Sequence, residues 1–205
     1  FVGFDVPRAH PRFGRVVPCP PCTPAPAQLL DSFDTSVHPS LPRALTACQS
    51  FANGDGKPWL VLGGNVGCGK SHLMVGVADV LLRRMELYTM RPASEVLGAI
   101  RSTWNMEGQE RLGAEADLRE TLHGRDVLLL DDLAAGQGTP SGWAQWDDLL
   151  CHRYGPPALR TLLTTNLAWE QFRKQLPRVA SRVAEVGVWV PITAPDYRQR
   201  LTRAS

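Results

Sequence analysis

The sequence has little excess charge and no long apolar run, and each absence excludes a class of protein. The 22 basic and 20 acidic residues leave a formal net charge of +2, so the totals do not indicate a strongly basic nucleic-acid-binding surface. A local basic patch is still compatible with them. No apolar run is long enough to cross a bilayer, and there is no secretory signal segment. We therefore predict a soluble cytoplasmic protein with no membrane partner.

Cysteine is also scarce, with five residues at scattered positions 19, 22, 48, 68 and 151. An odd, irregularly spaced set favours reduced thiols over a disulfide framework. The 205 residues, of which 43% are hydrophobic, suffice for one well-packed domain. The chain begins with Phe1 rather than Met, which indicates a fragment or a processed chain with a segment upstream.

Proline divides the chain into two parts. The first 27 residues hold seven of the 17 prolines and show neither a helical nor a strand period, so they cannot bury a core of their own. We predict an arm over residues 1–28 and one globular domain over residues 29–205. A short helix that follows Pro39 and Pro42, with an apolar face, should lean on that domain.

Beyond the arm, short apolar runs alternate with amphipathic segments. The runs predict strands at 59–64, 86–90, 126–132, 160–166 and 187–192. They are continuously apolar, as expected where helices cover both faces of a parallel sheet. The alternation predicts a three-layer α/β fold. Residues 107–123 are highly charged and predict an exposed helix or a lid-like connection.

The stretch GGNVGCGKSH, residues 63–72, lies between the first apolar strand and an amphipathic helix. Gly64, Gly69, Lys70 and Ser71 fit the pattern G-x-x-x-x-G-K-[ST]. Glycines allow backbone N–H groups to converge on phosphate oxygens, the lysine reaches the β and γ phosphates, and the hydroxyl binds Mg²⁺. The predicted ATP-binding residues are Gly64, Asn65, Val66, Gly67, Cys68, Gly69, Lys70, Ser71 and His72, although the sequence assigns no chemistry to the Cys68 and His72 side chains.

Polar residues end two of the later strands. Asp131 is predicted to hold Mg²⁺ together with Ser71, and Asp132 to orient or deprotonate the attacking water. Asp132 is one methylene shorter than the glutamate more usual there, so we expect slow ATP hydrolysis. Asn166, with Thr165 beside it, is placed to touch the γ-phosphate or the water. Strand-end capping is the alternative role for all of these residues.

The order of motifs closely resembles the AAA+ ATPases of the DnaC/IstB type, which are replicative helicase loaders and transposase helper ATPases. GGNVGCGKSHL is followed by VLLLDDL, HRY, LLTTN, RVASRV and PITAPDYR, and the resemblance covers almost the whole chain. It implies an AAA+ P-loop core with a five-stranded parallel sheet in the order 5-1-4-3-2 and little or no separate lid domain.

The resemblance also implies roles for three arginines. Arg182 resembles the arginine finger that reaches the ATP of a neighbouring subunit, so it implies a homo-oligomer. Arg178, one helical turn earlier, is the competing candidate for that role. Arg198 resembles a sensor arginine near the γ-phosphate.

The arm resembles the second half of a cysteine ribbon whose first cysteine pair would lie upstream of residue 1. Structural zinc takes four ligands, and Cys19 and Cys22 supply two, with His10 as a third candidate. Either the arm contributes to a Zn²⁺ site, or it is incomplete, disordered or a segment that docks a partner.

Three functions follow from these features. The first is a helicase loader that binds ATP, single-stranded DNA and, through its N-terminal region, a replicative helicase. The second is a transposition regulator that oligomerises on duplex DNA and recruits a transposase. The third is a nucleotide switch or adaptor that does not hydrolyse ATP. The short chain and its cysteine arm favour the loader. Candidate DNA contacts are Arg83, Arg84, Arg101, Arg111 and Arg119.

Overall fold

The computed structural model describes residues 29–103, 106–124, 126–133 and 140–197, which form five strands and seven helices. The strands are β1 (Trp59–Gly64), β2 (Tyr88–Pro92), β3 (Val127–Leu133), β4 (Arg160–Thr165) and β5 (Gly187–Ile192). The helices are α1 (Leu41–Asn53), α2 (Lys70–Arg83), α3 (Ala93–Thr103), α4 (Gly108–His123), α5 (Pro140–His152), α6 (Trp169–Gln175) and α7 (Pro177–Val186).

The five strands form one parallel sheet in the order β2-β3-β4-β1-β5. Read from the opposite edge, this is the predicted order 5-1-4-3-2, which is therefore confirmed. The strand β1 lies between β4 and β5, with Leu62 opposite Thr164 on one side and Val190 on the other. The carboxyl ends of β1, β3 and β4 consequently lie side by side at one end of the sheet.

Helices cover both faces of the sheet, because successive strand residues point to opposite sides. Leu60 and Leu62 of β1 belong to a core shared with α1 and α2. Trp59 and Val61 belong to a second core shared with α3, α5, α6 and α7. Both faces of the central strands are therefore buried, which explains their continuous apolar runs. The predicted three-layer α/β fold is confirmed.

The strand β2 begins two residues later than the sequence predicts. After α2 the backbone N–H groups of Met85 and Glu86 donate to carbonyls of the last helical turn, at 3.0 Å each, and Met85 adopts a positive φ of 58°. These bonds cap the helix and withdraw both donors from the sheet. The Glu86 side chain forms ion pairs with Arg84 and Arg160.

The charged segment predicted as an exposed helix or a lid-like connection forms the helix α4. Among its described side chains, Leu122 is the one that is fully buried, and most of the others are exposed. Within the part of the chain that the structure describes, no helix is both long and apolar enough to cross a membrane.

A buried arginine directly after α5 joins α4 to β4. The Arg153 side chain is 0% exposed and donates to Thr161 Oγ1 at 3.0 Å, to the Leu122 carbonyl at 2.6 Å and to the Arg160 carbonyl at 3.0 Å. Burial lowers the pKa of its guanidinium to about 10, and Asp126 opposes this shift. Arg153 therefore remains charged at neutral pH and links the end of α4 to the start of β4.

Replacing Arg153 with leucine is expected to lower the free energy of unfolding by about 3 kcal/mol, because it leaves buried carbonyls without their donor. Chemical denaturation monitored by tryptophan fluorescence measures this change. Arg173→Leu is the matched control, since Arg173 is an exposed residue of α6, and it should change stability by no more than about 0.5 kcal/mol. A similar, small effect of both variants would show that the buried network contributes little.

Candidate active site

The loop between β1 and α2 has a backbone that only glycine accommodates at certain positions. Gly67 and Gly69 have φ values of 73° and 101°, in the left-handed region that side chains disfavour. A Cβ on Gly67 would lie 1.7 Å from the Asp196 carboxylate, and one on Gly64 would lie 2.3 Å from the Ile192 carbonyl oxygen. The segment after β5 thus packs directly on this loop, and the glycines make that approach feasible.

The ammonium group of Lys70 lies under the loop. It is 6% exposed and donates to the carbonyl oxygens of Gly64 and Asn65, at 2.7 Å each, and to Asn166 Oδ1 at 2.8 Å. These three bonds match the three protons of a lysine ammonium. They hold a positive charge at the junction of the loop with the end of β4.

Asp131 and Ser71, predicted as partners, lie together. The Ser71 hydroxyl donates to Asp131 Oδ1 at 3.0 Å. Among the described residues no group of three or more His, Cys, Asp or Glu side chains could hold a metal. Mg²⁺, however, takes oxygen ligands and usually keeps several waters, so one carboxylate and one hydroxyl beside a phosphate-binding loop fit this ion.

The second acid, Asp132, joins the site through Asn166. The Asn166 amide donates from Nδ2 to Asp132 Oδ1 at 2.8 Å, while its Oδ1 accepts from Lys70. Burial raises the pKa of the Asp132 carboxyl, the negative charge of Asp131 raises it further, and Lys70 opposes both effects. A carboxylate with a raised pKa is a stronger base than an ordinary aspartate, so the arrangement suits proton transfer from a water molecule.

The threonine that hydrogen-bonds to an acid of the site is Thr164, two residues before Asn166, rather than the adjacent Thr165. Thr165 is buried and donates its hydroxyl to the Leu133 carbonyl at 2.7 Å. Thr164 donates instead to Asp131 at 2.6 Å. Strand alternation carried this signal, because Thr164 shares the face of Leu162, which packs in the core with α2.

Arg182 lies on α7, whose Val179 and Val183 are buried in the second core. Its guanidinium stacks over the Tyr154 ring, 4.8 Å from the centroid, and Nη1 donates to the Arg178 carbonyl at 3.0 Å. Its Nε atom is buried without a hydrogen-bond partner. Arg182 is thus partly fixed within its own chain, and its role toward a neighbouring subunit stays a prediction.

The competing arginine has a different environment. Arg178 is largely exposed, with 60% of its side chain accessible, and pairs with Asp147 at 3.2 Å. Asp147 also accepts the Val179 backbone N–H at 3.3 Å. Arg178 therefore interacts with α5, whereas Arg182 interacts mainly with an aromatic ring.

Several residues predicted to bind ATP, zinc or DNA either lie outside the described residues or form ion pairs at the surface. Arg198, Cys19, Cys22 and His10 lie outside the described residues, as does the side chain of Arg119. Of the remaining candidate DNA contacts, Arg83 on α2 pairs with Asp79, Arg84 directly after α2 pairs with Glu86, Arg111 on α4 pairs with Glu115, and Arg101 is exposed on α3. Exposed ion pairs of this kind are weak, so they leave these arginines available for phosphate.

Comparison with solved structures identifies the fold. The crystal structure of the DnaC helicase loader is similar to this chain with a TM-score of 0.66 and 20% sequence identity, covering 80% of this chain and 96% of that chain. The chain has the AAA+ fold. At this identity the likeness concerns the fold, and at that level it confirms the resemblance to the DnaC/IstB type.

Two further AAA+ structures show how much of each relative is matched. DnaI is similar with a TM-score of 0.62 and 20% identity, covering 84% of this chain and 93% of that chain. The replication initiator DnaA bound to AMPPCP and single-stranded DNA has a TM-score of 0.68 and 18% identity, covering 87% of this chain and 56% of that chain. The chain thus spans little more than half of DnaA. No protein-family model and no curated protein matches the sequence.

Proposed function

We propose that the protein is an ATP-dependent helicase loader that hydrolyses ATP and binds single-stranded DNA. The observation that carries the proposal is the continuous hydrogen-bonded path from Lys70 through Asn166 to Asp132, beside the pair of Ser71 and Asp131. This path connects a phosphate-binding cation to a carboxylate of raised pKa. Such a combination is what hydrolysis of a phosphoanhydride bond requires.

Each residue then has a defined task. The N–H groups of the loop and the Lys70 ammonium bind the phosphates, and the start of α2 adds its dipole. Ser71 and Asp131 would hold Mg²⁺, which supplies charge neutralisation when bound. Asp132 accepts a proton from the water that attacks the γ-phosphorus, while Asn166 orients that water. The bond from γ-phosphorus to the bridging oxygen breaks, and ADP leaves with the electron pair.

Two features favour slow turnover that depends on assembly. Asp132 is short, and its Oδ1 is already engaged by Asn166. We propose that Arg182 of a neighbouring subunit supplies the missing positive charge, as an arginine acting in trans does in related chemistry. ATP hydrolysis would then report on assembly rather than run continuously in the monomer.

The loader role is supported by the extent of the match. The chain corresponds to nearly the whole of the DnaC and DnaI chains, but to only part of DnaA. The DnaA structure holds single-stranded DNA, and this motivates the same ligand here. The resemblance of the motifs to helicase loaders points in the same direction.

Binding of a fluorescent single-stranded oligonucleotide, measured by anisotropy, tests this function. We expect ATP to strengthen binding by about tenfold over ADP, a coupling free energy of the usual size for linked sites. Affinity should fall as salt is added, because bound arginines displace counterions from phosphates. Lys70→Ala should bind DNA equally with and without ATP.

The alternative functions give different results in the same experiment. A duplex competitor that displaces the single strand at lower concentration than an unlabelled single strand would favour the transposition regulator. ATP binding without phosphate release or DNA binding would favour the switch or adaptor, for which the short side chain of Asp132 is the supporting observation. Either outcome would contradict the loader.

A further inference from the structure

An irregularity in the sheet lies directly under the two acids. Pairing between β3 and β4 is regular up to Leu130 opposite Leu163, and it resumes with Leu133 opposite Thr165. Between these pairs, Asp131 and Asp132 together face Thr164. One extra residue in one strand is the definition of a β-bulge, and bulges change the direction of side chains near active sites.

The bulge explains how two consecutive residues serve one site. In a regular strand, neighbouring side chains point to opposite faces, so one of the two aspartates would point away from the loop. Here Asp131 contacts Ser71, while Asp132 contacts Asn166, which also contacts Lys70.

The bulge has an unfavourable backbone conformation. Asp132 has a φ of 56°, in the left-handed region. This conformation costs a non-glycine residue roughly 1 kcal/mol or more, so surrounding contacts have to maintain it.

Thr164 supplies such contacts with a single atom. Its hydroxyl accepts the Asp132 backbone N–H at 2.8 Å and donates to Asp131 Oδ1 at 2.6 Å. The side chain is 0% exposed, so water does not readily replace it. Only a hydroxyl can accept and donate at the same point, which excludes an apolar residue of the same shape.

We propose that Thr164 is a positioning residue that holds the bulge and thereby orients both acids at once. It fixes Asp131 toward Ser71, where Mg²⁺ would bind, and it fixes the backbone that directs Asp132 toward Asn166. This inference rests on the proposed ATPase activity, but it concerns residues whose arrangement can be measured without turnover.

Three variants separate the positioning role from simple stability. Thr164→Val keeps the shape and removes the hydroxyl, whereas Thr164→Ser keeps the hydroxyl. Thr165→Val is the matched control, because Thr165 is also buried and donates to Leu133 at the same bulge but does not contact either acid. The free energy of unfolding of each full-length variant identifies any general loss of folding.

The first measurement uses the protein without nucleotide. Amide hydrogen exchange of Asp132, followed by NMR, should be faster in Thr164→Val than in wild type and should return to the wild-type rate in Thr164→Ser. Thr165→Val should leave it unchanged. Unchanged exchange of the Asp132 amide in a folded Thr164→Val would contradict the proposal that Thr164 holds the bulge.

The second measurement is the Mg²⁺ dependence of binding of a fluorescent ATP analogue. Thr164→Val should require about tenfold more Mg²⁺ and lose roughly 100-fold in turnover, as expected when a group that orients a metal ligand is removed. Its affinity in EDTA should stay within about twofold of wild type, since the loop and Lys70 are intact. Thr164→Ser should recover most of both losses.

The results distinguish the positioning role of Thr164 from the proposed ATPase activity on which it rests. A wild-type protein that neither binds nor hydrolyses ATP would contradict the proposed function. Hydrogen exchange of the Asp132 amide would still test whether Thr164 holds the bulge. A wild-type protein that hydrolyses ATP, with Thr164→Val equal to it or Thr165→Val equally impaired in Mg²⁺ dependence, would contradict the positioning role alone.

Discussion

Lys70→Ala is expected to lower the affinity for ATP by about 100-fold or more, equivalent to roughly 2.7 kcal/mol. The ammonium is the one buried positive charge that the structure places within the phosphate-binding loop, where it donates to Gly64, Asn65 and Asn166. Its removal deletes a charge-assisted contact to the phosphates and leaves two loop carbonyls without that donor. Isothermal titration calorimetry with ATP and Mg²⁺ measures the loss.

The control for this prediction is Lys174→Ala, because Lys174 is an exposed residue of α6. It should bind ATP as wild type does. The thermal midpoint without nucleotide shows whether Lys70→Ala is folded, and added ATP should raise the midpoint of wild type but not of this variant. Wild-type ATP affinity in a folded Lys70→Ala would contradict the assignment of the loop as the phosphate site.

Arg182→Ala is expected to bind ATP within about threefold of wild type and to lose roughly 1,000-fold in turnover, the size of effect that an arginine finger has. ATP binding should survive because the described contacts of Arg182 are with Tyr154 and Arg178, away from the phosphate-binding loop. Loss of the contact with the Tyr154 ring should lower stability by only about 0.5–1 kcal/mol. Phosphate release at saturating ATP and single-stranded DNA gives the turnover.

A mixture of two inactive variants tests whether Arg182 acts in trans. Lys70→Ala keeps Arg182 but binds ATP only weakly, while Arg182→Ala binds ATP but lacks the arginine. Mixed assemblies place an intact arginine beside an intact nucleotide site, so the mixture should regain part of the wild-type turnover. Turnover equal to the sum of the two separate variants would contradict a trans role. If Arg178→Ala shows the large loss instead, the competing arginine is the finger.

The strands and the three-layer fold could be predicted because parallel strands covered on both faces leave continuous apolar runs, whereas the strand order was implied by the resemblance of the motifs. The strands at 59–64 and 187–192 have the predicted bounds. Alternate residues of each strand pack in the two different cores, so the whole strand is apolar and its ends are visible in the sequence. The start of β2 was missed because helix capping, which depends on backbone geometry after α2, uses the donors of Met85 and Glu86. The hydrophobicity of residues 86–90 does not show whether these N–H groups bond to the helix or to the sheet.

The residues of the candidate site were also predictable, but their connections were not. Sequence motifs supplied Lys70 and Asp131, and the structure brings them to one edge of the sheet with Ser71 and Asn166. The bulge opposite Thr164 depends on the register between β3 and β4. Register arises from tertiary pairing, and one extra residue in a short apolar strand leaves no periodic signal.

Light scattering of the wild-type protein with ATP and single-stranded DNA, with phosphate release recorded in the same sample, tests the ATP-driven assembly most directly. We expect the mass to rise above the 22.5 kDa of one chain, and the turnover per chain to rise over the same range of protein concentration. A protein that stays at the mass of one chain, and whose turnover is independent of its concentration and of DNA, would contradict an assembly in which one subunit completes the site of the next.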